Sequence, residues 1–559
     1  MSYSRASLFA ALALLLIAAP GAAAQPADTT QLPEIAPREI EIRGEREIDL
    51  PSLERQPLTG FASPAQVPAV PAEHRPYVGS YRQTLDDLPE SLPVPETVSP
   101  SMQPTAEPAR GFLEGGSGRY FGRFLEGRMG TPLSQTERLS VAGEYTATEA
   151  DPNDDVVDLR ARLVSRQEGV RLTAQAHGTL QRYALYGATL PPNDPERESY
   201  GAGGAFGLQT TGSVPFRAEA SYDNVQYTTY LGTNSNGSDV TQQQFQIQGA
   251  STLPIRTRPR LDALYRRSWF GGDIQEERAY SLDAGGALTI YRTEAITAQA
   301  GARILAYETP ASLRLPIVGD ASATFISPSV DVEWQIANGT RLHLQNHPRL
   351  GTTALDDLYD TNPYAEHAPA LQPNLFTTDA EAGVTWSPGP VRIVTAAGYR
   401  YAPAYRFFSL DGTTGLYEVD YNSARILQGR GEIALQGIDG VQASLALSLR
   451  DGVLKAQSGD QDIPNFAPVT ADAMVGISFA GGDGYLEAQT RFESRRYADM
   501  NRTDRVGSYL TLGLESSYAL SSQFEIVARA ENLSHDTLTQ WKNYPRPPAQ
   551  VEAGVRLRW

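Results

Sequence analysis

The sequence predicts an all-β protein: a transmembrane, antiparallel up-and-down β-barrel of about 22 strands over residues 111–559, behind a mostly extended, proline-rich segment. Three observations carry this. The chain opens on an export leader and has no later spanning helix. Apolar and polar residues then alternate at every second position, and the connections between these runs alternate between short and long.

The leader comes first. "MSYSRASLFAALALLLIAAPGAAAQ" places Arg5 in a polar head, an apolar run from Leu8 to Ala19, and the small-residue pattern of Ala22 and Ala24. Residues 1–24 therefore read as a signal peptide cleaved after Ala24. Beyond it no apolar run reaches the roughly 18 residues that a spanning helix needs. A bilayer is otherwise crossed only by a closed barrel, which pairs every backbone donor and acceptor internally. The choice narrows to a soluble exported protein or an outer-membrane barrel.

Composition removes other classes. The net charge of -18 argues against a nucleic-acid partner, which calls for a basic face. The absence of cysteine excludes disulfide scaffolds, thiolate metal sites, cysteine nucleophiles and lipidation at cysteine.

Residues 25–110 hold fifteen prolines, in stretches such as "AQVPAVPAEHRP". Proline removes backbone donors and interrupts both helices and central strands. This territory reads as extended chain, either a periplasmic segment or the remnant of a folded domain.

From Gly111 the texture changes. "VQASLALSLR" sets Val441, Ala443, Leu445, Leu447 and Leu449 on one face, and "FEIVARAE" sets Phe524, Ile526, Ala528 and Ala530 opposite Glu525, Val527, Arg529 and Glu531. Period two is the mark of half-buried strands. Short turns ("ANG" 337–339, "SPGP" 387–390, "GIDG" 437–440) alternate with long polar loops ("TLPPNDPERES" 189–199, "DTNPYAEHAPALQPN" 360–374). Sorting loops by parity is the habit of an outer-membrane barrel. With "GFLEGGSGRYFGRFLEGRMG" read as two strands meeting near Ser117 to Phe121, both barrel ends fall on the short-turn side. A barrel of this width is not filled by its own side chains. Its inward positions are Glu, Gln, Arg, Ser and Thr, so the lumen is wet. Tyrosine outnumbers phenylalanine, 27 to 17, in keeping with rings at the headgroup level of a lipid bilayer.

The chain ends "VEAGVRLRW", with Val551, Ala553, Val555, Leu557 and Trp559 on the lipid-facing side and Glu552, Arg556 and Arg558 facing inward. Together with Asn532-Leu533, Trp541 and Tyr544-Pro545 ahead of it, and the Gly/aromatic hairpin at residues 111–134, this ending resembles the barrel domain of TonB-dependent receptors. The resemblance covers about residues 111–559. It implies a cell outer-membrane transporter that imports a ligand under the drive of an inner-membrane TonB complex. It further implies a periplasmic N-terminal segment and a terminal strand, Val551 to Trp559, read by the barrel-assembly machinery. The family's energy-coupling segment corresponds to "EIEIRG", with Glu39, Ile40, Glu41, Ile42 and Arg43 as its candidate residues. The chain departs from the family in one respect. Only 66 proline-rich residues separate Gly44 from Gly111, where those receptors place a folded plug. Three readings follow: a vestigial plug in a coupled receptor, a plugless porin-like channel, or a structural barrel filled or docked by a partner protein.

No enzyme, cofactor or metal site is expected. No Gly-x-Ser-x-Gly pattern is present, and His343 and His347, four apart on a strand, are separated by about 13 Å. The acidic stretches "DPNDD" (151–155) and "DDLYD" (356–360) lack the ordered spacing of a calcium loop and read as solvated.

Overall fold

The computed structural model describes residues 110–559 apart from 149–153, 189–194, 232–236, 275, 311–321, 457–458, 535–538 and 546–548. The leader, the proline-rich segment and the Glu39–Arg43 stretch lie outside the described residues.

Twenty-two strands form the wall. They are β1 (Gly111–Gly118), β2 (Arg123–Pro132), β3 (Glu137–Thr148), β4 (Asp154–Gln167), β5 (Val170–Ala184), β6 (Glu196–Thr210) and β7 (Phe216–Tyr230). There follow β8 (Ser238–Thr252), β9 (Arg260–Gly272), β10 (Glu277–Arg292), β11 (Ile296–Glu308), β12 (Ser322–Ala337), β13 (Thr340–Asn346), β14 (Thr378–Trp386) and β15 (Val391–Leu410). The wall is completed by β16 (Tyr417–Ile438), β17 (Val441–Ala456), β18 (Val469–Phe479), β19 (Gly484–Glu493), β20 (Tyr509–Ala519), β21 (Phe524–Glu531) and β22 (Gln550–Arg558). Each pairs antiparallel with its neighbours in the chain, and β1 closes on β22 with Leu113 opposite Leu557 and Glu114 opposite Arg556. Closure leaves no edge strand, which is what a barrel in lipid requires.

Turn chemistry explains the tight rim. The two-residue connections Glu168-Gly169, Asn338-Gly339 and Asp439-Gly440 each place glycine at positive φ (71°, 77° and 74°), the hairpin geometry that matches strand twist. The other rim carries the long connections, the longest running from β13 to β14 across residues 347–377.

The alternation read from the sequence sorts side chains as expected. Leu159, Phe206, Ile326, Leu445, Leu510 and Val555 stand exposed on the outer surface. Near the short-turn rim the outer face carries exposed Trp334, Trp386, Phe479, Tyr518, Phe524 and Trp559; in the long-loop half it carries Tyr200, Tyr280 and Tyr399. Two aromatic levels around an apolar band are the exterior of a membrane barrel.

The seam between the first and last strands is held by charge as well as by the ladder. Glu114, wholly buried, accepts from Arg556 Nε at 2.6 Å and ion-pairs with Arg529 Nη2 at 2.8 Å. Arg556 and Arg558 reach Glu525 at 3.0 and 2.7 Å. The inward glycines make room for this. A Cβ on Gly116 would lie 2.3 Å from the Ala553 carbonyl and 2.5 Å from the Phe124 ring. The Phe124 ring can therefore lie flat across the seam.

Candidate functional site: the lumen and its mouth

The β13–β14 connection turns inward over the long-loop mouth of the barrel. Its centre is a short helix, α1 (Leu355–Thr361), with Leu355, Leu358 and Tyr359 buried. That i, i+3, i+4 stripe faces the wall, and Asp356 and Asp357 sit in the first turn, where the helix dipole favours acids. Seven residues are too few for a helix to persist by itself, so packing must hold it. Its N-terminus lacks a side-chain cap of its own; instead the Leu355 N–H donates to Gln242 Oε1 of β8 at 2.6 Å. The barrel wall caps the helix.

Side chains from opposite parts of the wall meet on this segment. Tyr227, Val240, Phe270 and Ala279 of β7–β10 share one apolar cluster with Leu355, Leu358, Tyr359, Ala365, Ala370 and Leu371. Phe408, Tyr417, Val419 and Tyr421 of β15–β16 close the same cluster from another side, and Trp541 and Tyr544 of the last long loop join it. Tyr364 stacks on Tyr544 with centroids 3.6 Å apart, and Trp541 meets Phe408 and Tyr417 edge-on. Tyr417 and Tyr544 donate to the carbonyls of Lys542 and Gly415 at 3.2 and 3.1 Å. Their rings are thereby tied at the polar end as well.

Arg197 of β6 clamps the segment. It has no exposed surface. Its guanidinium donates to Thr229 Oγ1 (2.9 Å), the Pro363 carbonyl (2.8 Å) and the Ala365 carbonyl (2.7 Å), and lies 4.2 Å over the Tyr359 ring. Its charge is met by carbonyl dipoles and a π face rather than by a carboxylate. On the opposite wall Arg406 reaches Asp357 at 3.1 Å, and Tyr421 donates to the Ala370 carbonyl at 3.2 Å. The segment thus bridges β6 and β8 on one side to β15 and β16 on the other.

Two groups of this loop have displaced protonation. Burial pushes the Glu366 carboxyl up to about 7; the Val419 N–H that it accepts opposes this, and nearby Glu418, Asp420 and Asp411 add to it. Burial, and then the charge of Arg197, push His367 down.

Below the mouth the wall is polar and largely paired. Arg303 reaches Asp283 and Asp262 at 2.6 and 2.8 Å; Arg400 reaches Asp379 at 2.7 Å; Arg430 reaches Glu381 at 2.7 Å. His343 meets Glu381 at 3.2 Å and His347 meets Asp331 at 3.8 Å. Each histidine sits beside a different carboxylate. Among the described residues no group of three possible ligands gathers.

The structure refines one reading. The stretch 356–360 is part of the mouth closure: its acids are solvated as expected, with Asp356 and Asp360 exposed, but Leu358 and Tyr359 between them are buried and Asp357 is ion-paired. Of the other acidic stretch, 151–153 lie outside the described residues. The terminal residues fall as expected, with Val551, Val555 and Trp559 exposed on the outer surface and Arg556 turned to the seam.

No family model and no curated protein matches the chain. Solved structures do. The copper transporter OprC superposes with a TM-score of 0.62 at 15% identity, covering 81% of each chain. The FrpB iron transporter from Neisseria meningitidis gives 0.63 at 9%, over 80% of this chain and 81% of its own. The ferric yersiniabactin uptake receptor FyuA from Yersinia pestis gives 0.61 at 12%, over 82% and 81%. At such identities the likeness is one of fold, and at that level the resemblance to TonB-dependent receptors stands.

Proposed function

We propose that the chain is an outer-membrane transporter resembling TonB-dependent receptors, taking up a ligand through its lumen. The observation that supports this most is the closure of the mouth. A polar lumen too wide for its side chains to fill is capped by an ordered segment held from both walls. A pore that stands permanently open has no need of such a cap. A transporter needs one that can open and reclose.

On this reading the short turns and both barrel ends face the periplasm, with residues 25–110 there as well, and the long loops face outward. Glu39, Ile40, Glu41, Ile42 and Arg43 are the segment that engages TonB. The outward row Val551, Ala553, Val555, Leu557 and Trp559 is the signal for the barrel-assembly machinery. The neighbours described above are transporters and a receptor for copper, iron and ferric yersiniabactin, which fits import rather than catalysis.

The test is retention of a purified TonB periplasmic domain by the full chain in detergent. Retention that disappears when Glu39–Arg43 are deleted is the expected result. No retention by the intact chain contradicts coupling. A passive channel is the second reading, favoured by the mere 66 residues between Gly44 and Gly111. It predicts steady conductance from the intact chain in a planar bilayer.

A further inference from the structure

A furrow runs along the lumen wall over β6. Between Ser199 and Gln209 the inward positions of this strand are Gly201, Gly203, Ala205 and Gly207, none with more than a methyl group. The flanking strands rise on either side of it. At Gly203 the furrow is bridged: His177 Nε2 of β5 lies 3.4 Å from Asp223 Oδ1 of β7, and a Cβ there would sit 2.2 Å from the carboxylate and 2.6 Å from the imidazole. At Gly207 it is open, the nearest atom to such a Cβ being 3.7 Å away. The opening is a pocket lined by Arg162 of β4, Arg171 and Thr173 of β5, Gln209 of β6, and Arg217 and Glu219 of β7.

The charge of this pocket is unbalanced. Three guanidiniums face one carboxylate, and that carboxylate is engaged by Gln248 at 3.0 Å and Arg217 at 3.6 Å. Among the described residues Arg162 and Arg171 have no carboxylate within ion-pair distance, and the Nε of Arg171 is buried with no acceptor. Elsewhere on the wall Arg303, Arg400, Arg430 and Arg556 are each matched by an acid. A buried donor is ordinarily satisfied, and the planar guanidinium fork fits an oxyanion with two parallel hydrogen bonds. Thr173 and Gln209 add neutral donors at the rim of the same space.

We propose that this pocket binds an oxyanion, a solute bearing phosphate or carboxylate groups. That the solute is bound on its way through the lumen rests on the transport reading above; the binding itself does not. The glycine floor sets the depth of the site, and Arg162, Arg171 and Arg217 supply its charge.

The experiment is calorimetric titration of the full chain in zwitterionic detergent at low salt, with pyrophosphate and citrate as probes and spermidine as the cationic control. Heat-modifiable migration on a gel shows that each variant is folded. One-to-one binding of either anion, and none of spermidine, is expected; the anion that binds assigns the group. Replacing both Arg162→Gln and Arg171→Gln weakens binding at least tenfold. Gly207→Leu, which fills the floor without changing charge, does the same. Arg160→Gln, one step along β4 on an exposed side chain paired to Asp158, leaves binding unchanged. Absence of binding by the intact chain at low salt, or equal binding by the double variant, overturns the proposal. Neither result bears on whether the mouth opens, so the pocket and the transport reading fail separately.

Discussion

The two halves of the lumen are built on opposite principles. At the long-loop mouth, aromatic rings, a buried arginine and a short helix pack into an apolar cluster tied to the wall by side-chain hydrogen bonds. Toward the short-turn rim the wall is polar and glycine-floored, and among the described residues two arginines have no ion-pair partner. One half is arranged like a protein core, whose removal from place carries a large cost. The other is arranged like a surface waiting for a solute. On the proposed transport reading, this contrast sets the gate at the mouth and the solute site in the interior.

Substitutions at the mouth should therefore cost far more than equivalent ones deeper in the lumen. Arg197→Ala strands the buried Ala365 carbonyl and takes one partner each from the Pro363 carbonyl and the Thr229 hydroxyl, which keep Tyr183 and His367, and it removes the cation from the Tyr359 ring, a combined loss of about 2–4 kcal/mol. Hydrogen exchange at residues 355–365 should then accelerate by about a hundredfold. Arg217→Ala, with its side chain 66% exposed, should change stability by less than about 0.5 kcal/mol. Equal effects from the two would erase the distinction between the halves.

Gln242→Ala removes the cap from α1 and should loosen the same residues by about 1 kcal/mol. Tyr364→Leu keeps apolar volume but loses the stack on Tyr544, a cost of about 1 kcal/mol. A double-mutant cycle on that pair isolates the stacking from the burial.

Proton linkage gives the smallest and most specific effect. Because Glu366 titrates at about 7 in the docked loop against an ordinary 4.5, the docked state holds its proton more tightly. Docking is strongest below about 4.5 and weakens as pH rises toward about 7. His367, pushed below its ordinary 6.5, acts the other way: docking weakens as pH falls through its lowered value. Above 6.5 only Glu366 contributes. Exchange at the loop, divided by the intrinsic rate at each pH, should rise between pH 6.5 and 8 in the natural chain and stay flat in Glu366→Gln. A slope that survives the substitution would place the titrating group elsewhere.

Much of the barrel was legible because its signals are local. Alternation fixes which side chains face lipid, and a strand such as β22 declares itself from nine residues. The even strand number and the loop parity follow from counting turns. The mouth was not legible in that way. "LDDLYD" carries the stripe Leu355, Leu358, Tyr359, but one helical turn among acids reads as a loop until Gln242 and Arg197, more than a hundred residues away, are seen to hold it. Arg197 itself looks like any inward arginine of a wet lumen. The glycines of "YGAGGAFG" were visible at period two, yet their meaning lies in what β5 and β7 place beside them, which depends on register across three strands.

The most direct test removes the mouth segment. The Gly351 N–H donates to the Asn374 carbonyl at 2.8 Å, and Leu350 pairs with Leu375, so residues 352–373 can be excised and the ends rejoined without stretching the wall. In planar bilayers the intact chain should be silent and the shortened one should conduct steadily. Steady conductance by the intact chain, or silence after the excision, would contradict a gate at the mouth.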